Sequence, residues 1–109
     1  MSVHLPDPIT AYFAADKADG AAIAQLFTQD ATVKDEGHTY VGRAAIAAWK
    51  AGVSTKYTYT SEPVAVEEQA DGKTIVTSHL VGDFPGSPVD LRFFFILRDD
   101  GIAFLEIIP

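Results

Sequence analysis

The chain of 109 residues contains no cysteine, which excludes a disulfide framework, a thiol nucleophile and a thiolate metal site. Positive charge is scarce: eight Lys and Arg stand against fifteen Asp and Glu, for a net charge of -7. Nucleic-acid surfaces and anionic membranes attract basic patches, so neither is an expected partner. No apolar run approaches the ~20 residues of a membrane span. The opening MSVHLPDPIT has neither the basic nor the apolar stretch of a secretory signal, so a cytoplasmic location is expected. Histidine is limited to three scattered residues without HxH or HxxxH spacing, so no metal site and no cofactor is expected. GxGxxG, Walker-type and Gly-x-Ser-x-Gly motifs are all missing.

What the chain does have is apolar content. Hydrophobic residues make up 48% and aromatics 11%, enough for a packed core, and the length fits one domain over residues 1–109. Pro6 and Pro8 suit the start of a helix, where a missing N–H is harmless, and Ile9, Tyr12 and Phe13 then form a helical stripe. Asp19 is a candidate N-cap for a second helix carrying Ile23, Leu26 and Phe27, closed by Gln29-Asp30. ATVKDEG alternates, with Ala31, Val33 and Asp35 on one face, and Thr39 to Val41 follow the Gly37 turn as a brief strand. RAAIAAWKAG reads as a third helix with Ile46, Trp49 and Val53 on one side and Gly52 as its stop.

From Thr55 onward the pattern is strand. Pro63 suggests a bulge or an edge, and Asp71-Gly72 is a hairpin signal. Phe84-Pro85-Gly86-Ser87-Pro88 and Asp99-Asp100-Gly101 separate the remaining strands of a meander. Segregated helices and strands predict an α+β fold with helices on one face of a curved sheet. The last strands, RFFFILR and IAFLEII, are apolar on both faces. A one-sided antiparallel sheet would alternate, so a second cover is needed, and a homodimer through the sheet face is expected. The alternative is a sheet curled tightly enough to hide part of its own convex face.

Asp35 is the most informative residue for chemistry. Alternation places its carboxylate on the Val33 face, toward the helices, where desolvation disfavours the charged form and suits it to act as a general base. The structural alternative is a strand-end aspartate that bends into solvent or caps the Gly37 turn. His38 could pair with Asp35 across that turn and move protons, or could simply be solvated. His79 sits mid-strand as a partly covered sheet residue, and His4 carries no assignment. Ser87 belongs to turn chemistry. Tyr12, Phe27, Trp49, Tyr57, Tyr59, Phe93 and Phe95 are core candidates that become pocket walls if the sheet curls away from the helices.

The segments AYFAADKADGAAIAQLFTQDATVKDEG and GRAAIAAWKAG, with the final hairpin DLRFFFILRDDGIAFLEI, resemble the nuclear transport factor 2-like superfamily in its SnoaL-like branch. Ketosteroid isomerases and polyketide cyclases belong to that superfamily. The resemblance implies a cone of three N-terminal helices packed in a curved, mainly antiparallel sheet, with an internal pocket and frequent dimerisation. It implies Asp35 as general base, Trp49 as an apolar wall, and Phe93, Phe95, Leu105 and Ile107 as cavity-facing. It also departs from the isomerases. Their oxyanion-hole tyrosine falls on Ala11, one residue from Tyr12, and their second acid falls on Phe93, which donates no hydrogen bond. Without those donors steroid isomerisation itself is not expected.

The expectation is therefore a protein that binds an apolar small molecule in a pocket bearing one carboxylate. The chemistry implied is isomerase- or cyclase-type proton transfer next to a carbonyl, with Asp35 as base and Tyr12 or His38 as acid or donor. The rival is a non-catalytic protein–protein interaction or assembly module with an occluded pocket.

Overall fold

The computed structural model describes residues 5–15, 20–56, 58–98 and 101–109. His4, the Asp19 cap, Tyr57, and Asp99 and Asp100 of the last turn lie outside the described residues, as does the side chain of Val53. Helix α1 (Asp7–Ala14) starts as its prolines require: Pro6 is the N-cap, Pro8 lies in the first turn, and the Pro6 carbonyl accepts from the N–H groups of Ile9 and Thr10 at 3.0 and 2.9 Å. Ile9 and Tyr12 turn inward and are buried.

Helix α2 (Gly20–Ala24) is shorter than the sequence stripe suggests, a single turn of five residues. Phe27 does not end it but opens strand β1 (Phe27–Asp35), pairing in parallel with Ile102, whose N–H donates to the Leu26 carbonyl at 2.9 Å. So short a helix gains little from its own hydrogen bonds, and a sheet ladder outcompetes its extension. Ile23 and Phe27 still both reach the core. Strand β2 (His38–Val41) returns antiparallel to β1 through Glu36 and Gly37, with φ of 52° and 79°. Two successive left-handed residues make the tight hairpin turn whose twist matches the strands.

Helix α3 (Arg43–Lys56) runs through Gly52 instead of stopping there. A glycine within a helix costs only about 1 kcal/mol, and the helix is held by buried Ile46, Trp49 and Lys50. Strands β3 (Tyr59–Glu68), β4 (Lys73–Gly82), β5 (Val89–Arg98) and β6 (Gly101–Ile108) form the expected meander. Pro63 is at once on an edge strand and at a register shift, between Pro63 and Ala65. Gly72, with φ of 89°, turns the β3–β4 hairpin.

The result is a mixed α+β fold with a six-stranded curved sheet in the order β2-β1-β6-β5-β4-β3. Only the β1–β6 pair is parallel among the described strands. Of the three helices, only α1 and α3 are longer than a turn and a half, with eight and fourteen residues, and α3 follows two strands, so the expected set of three N-terminal helices is not what forms. The register sets the inner face in rows. Phe95 faces Leu105, which faces Val33; the next row runs Val76, Phe93, Ile107, Asp35. Opposite side chains lie about 5 Å apart, so each row is a line of contact. The outer face carries Ile75, Phe94, Ile96, Phe104 and Ile108, all half-buried, beside exposed Arg92. No helix among the described residues is long and apolar enough to cross a membrane.

Candidate active site

The inner face has two ends. At one, Tyr12 from α1 packs edge-on against Phe13, Phe27 and Phe95, and the Phe93 and Phe95 rings stack at 6.3 Å. Tyr12, Phe27 and Phe95 are at most 1% exposed, and Phe93 and Leu105 are buried with them. This end is filled. At the other end a cavity of about 960 Å3 opens between α3 and the sheet, within the ordinary size range of small-ligand sites.

The cavity follows from a stripe in the sequence. Ala45, Ala48 and Gly52 stand at i, i+3 and i+7 on α3, one face of the helix, and all three line the cavity. A Cβ added at Gly52 would meet no atom within 4 Å. The sheet contributes Tyr59, Leu80, Val89, Leu91 and Ile107, and the turn between β4 and β5 contributes Phe84, Pro85 and Gly86. Gly86, at φ of 88°, fits that turn, and the Ser87 Oγ accepts the Gly82 N–H at 2.9 Å. Ser87 is a turn residue, as its sequence context indicates.

Polar groups converge where β1 meets α3. Asp35 lines the cavity, and the Trp49 Nε1–H donates to its Oδ2 at 3.0 Å. Burial pushes the Asp35 carboxyl above its ordinary value, and the neighbouring Glu36 adds to the rise. The Trp49 hydrogen bond, Lys50 and His38 pull the other way without cancelling it. Glu36 and Tyr40 complete this wall, with the Tyr40 ring 6.0 Å from that of Trp49. Lys50, the next residue on α3, is only 2% exposed, and its Nζ donates to the Tyr59 hydroxyl at 3.1 Å.

The residues singled out in the sequence therefore divide. Asp35, Trp49, Tyr59 and Ile107 are brought together in the cavity wall. Tyr12, Phe27, Phe93, Phe95 and Leu105 lie in the filled core and do not line the cavity, because α1 lies over that end of the sheet. His38 pairs in register with Asp35, but its side chain is exposed on the hairpin and outside the cavity lining. His79 lies on the outer face, its Nδ1 2.7 Å from Asp90 Oδ1. The Lys50–Tyr59 pair and the small-residue stripe are the parts sequence reasoning missed, although the Ala45, Ala48, Gly52 spacing is readable. Among the described residues no three His, Cys, Asp or Glu side chains gather as a metal site requires.

A model of the SnoaL-like domain matches residues 9–103. The chain belongs to the SnoaL-like domain family. A candidate polyketide cyclase from Sinorhizobium meliloti is 38% identical, with 95% of each chain covered and a TM-score of 0.88. A Catenulispora acidiphila protein of ketosteroid isomerase-like fold, solved with trimethylamine, is 22% identical over 97% of this chain and 87% of its own, with a TM-score of 0.83. An epoxide hydrolase/cyclase-like enzyme of pyran ring formation in salinomycin is 20% identical over 94% and 86%, with a TM-score of 0.76. No curated protein matches the sequence. The latter two structures bear on the fold alone, which is nuclear transport factor 2-like. Family and cavity together support a small-molecule-binding SnoaL-like protein.

Proposed function

We propose that this SnoaL-like protein binds an apolar, carbonyl-bearing small molecule in the α3 cavity and moves a proton at the carbon next to the carbonyl, with Asp35 as general base. The observation that carries the reading is the Asp35 carboxylate in a mainly apolar wall, held by the Trp49 indole and pushed up by burial; exposed Glu36 borders the same wall, so the pocket has two carboxylates where the sequence suggested one. A base whose affinity for protons is raised toward the working pH accepts one from carbon more readily than an ordinary surface aspartate. The likeness to a candidate polyketide cyclase supports a polyketide-type ligand, whose alternating carbonyls acidify the carbon between them. An assembly module with a plugged pocket fits a cavity of about 960 Å3 less well.

Tyr12 and His38 have no part in this scheme, since one is packed in the core and the other lies on the exposed hairpin. A panel of apolar mono- and diketones tests the binding step by thermal denaturation. A ligand at a hundred times its dissociation constant stabilises the fold by ~2.7 kcal/mol, and a panel without any such shift contradicts the reading. With a turned-over ligand in hand, Asp35→Asn lowers kcat by about 10²- to 10⁴-fold while binding persists. Unchanged turnover removes the catalytic role. The half-buried apolar residues Phe94, Ile96 and Phe104 support a homodimer through the outer sheet face, checked by light scattering on the purified protein.

A further inference from the structure

The Lys50 ammonium is unusual for its place. A chain with a net charge of -7 puts a cation at 2% exposure, beside an apolar cavity. Burying a charge is costly unless other groups replace its water. Here the Tyr59 oxygen accepts from Nζ at 3.1 Å, and the Tyr12, Trp49 and Tyr59 rings stand 5.5, 5.5 and 5.9 Å from it. Oxygen and ring faces help to solvate an ammonium. Its positive charge also reaches Asp35, whose proton affinity it lowers.

Proton transfer would change that balance. When a carbon gives its proton to Asp35, the C–H electron pair forms a carbon–carbon double bond and the carbonyl π pair moves onto oxygen. The carboxylate becomes neutral and the negative charge reappears on the ligand oxygen, while the Lys50 charge stays where it was. An electrostatically prepared site places its donor where that charge arrives. Tyr59 lines the same cavity as Asp35, and a hydroxyl whose oxygen accepts from an ammonium donates more strongly through its own O–H.

The geometry points to Tyr59 as the donor that holds the enolate oxygen of the bound carbonyl compound, with Lys50 as the positioning residue that polarises it. This assignment rests on the proton-transfer reading of Asp35 and supplies the oxygen-binding partner which that reading lacks. The acceptor class is an enolisable ketone or diketone; the proton returns from Asp35 to carbon or to the substrate at the end of the cycle, so no oxidant or metal is required.

The Asp35→Asn protein imitates the neutral base after transfer, and 4-nitrophenolate imitates the planar enolate. Its methyl ether, 4-nitroanisole, has the same shape without the charge. At a pH where the free phenol is ionised, Asp35→Asn binds the phenolate at least about tenfold more tightly than the anisole. Adding Tyr59→Phe removes about tenfold of the phenolate affinity and leaves the anisole within about twofold, as expected for a hydrogen bond to a charged oxygen. Adding Lys50→Met, which keeps the side-chain length, also lowers the phenolate-to-anisole ratio, a split that a merely structural lysine would not produce. Anisole binding certifies a folded cavity in each variant, and Tyr59→Phe decides the matter if Lys50→Met does not fold. Phenolate binding indifferent to the Tyr59 hydroxyl, with anisole still bound, overturns this assignment alone. Failure of both ligands to bind Asp35→Asn overturns the cavity reading and this one with it.

Discussion

The two ends of the inner sheet face are built from similar residues and do opposite things. Around Tyr12, rings from α1, β1 and β5 meet edge-on, tilted or stacked at 5.3 to 6.3 Å and fill the space. Around Trp49, the rings of Tyr40, Tyr59 and Phe84 border an opening instead. The difference lies in what faces them. Helix α1 presents Ile9 and Tyr12 to the sheet, whereas α3 presents Ala45, Ala48 and Gly52 to the cavity. Small side chains on a helix that is anchored elsewhere, by Ile46 and Trp49, leave volume that the helix cannot close. An aromatic residue becomes a pocket wall or a core residue according to the size of its neighbour across the gap.

The contrast breaks most visibly under truncation. Phe95→Ala, in the filled end, lowers unfolding stability by about 3–5 kcal/mol, since a cavity replaces a fully buried ring. Leu91→Ala, in the cavity wall, costs about 1 kcal/mol, because that side chain is already half-exposed to the opening. Denaturant unfolding of both checks this, and equal losses would mean that the opening is packed in solution. Filling the gap is the converse change. Ala48→Phe projects a ring into the cavity, lowers affinity for apolar ketones by at least about tenfold, and moves stability by about 0.5 kcal/mol at most. Retained binding would place the ligand elsewhere.

The smallest expected effect concerns Asp35 and pH. Its carboxyl is raised by burial, so the unfolded chain releases this proton first as pH climbs past the ordinary 3.8. Wild-type stability from this group is therefore full below that value and declines as pH rises through the raised folded value. Asp35→Asn has no such decline. Its Tm gains on the wild type across that window and stays parallel above it, as paired thermal melts will show.

Much of the fold was legible. The strands, the Asp71-Gly72 hairpin, the bulged edge at Pro63 and the inward face of Asp35 all follow from alternation and turn chemistry, which are local. The placement of rings was not. Phe93 and Ile107 are cross-strand neighbours on the same face, yet only Ile107 borders the cavity, because the Phe93 ring packs against Tyr12 and Phe13 of α1, a contact made in space and not in sequence. The start of β1 at Phe27 was hidden for the same reason: its partner Ile102 lies at the far end of the chain. Lys50 sits in an alanine-rich helix, and its burial among the rings of Tyr12, Trp49 and Tyr59 follows from contacts that the sequence does not place together.

The protein contains one tryptophan, so its indole N–H gives a single resonance in a nitrogen-labelled sample, and that N–H is bonded to the Asp35 carboxylate. Following this resonance through a pH titration, with and without an apolar diketone, reads the base and the cavity in one experiment. A titration midpoint above the ordinary carboxylate value and a resonance displaced by the ligand are expected. A midpoint at the ordinary value, with a resonance indifferent to every diketone, would contradict both the raised base and the ligand-binding cavity.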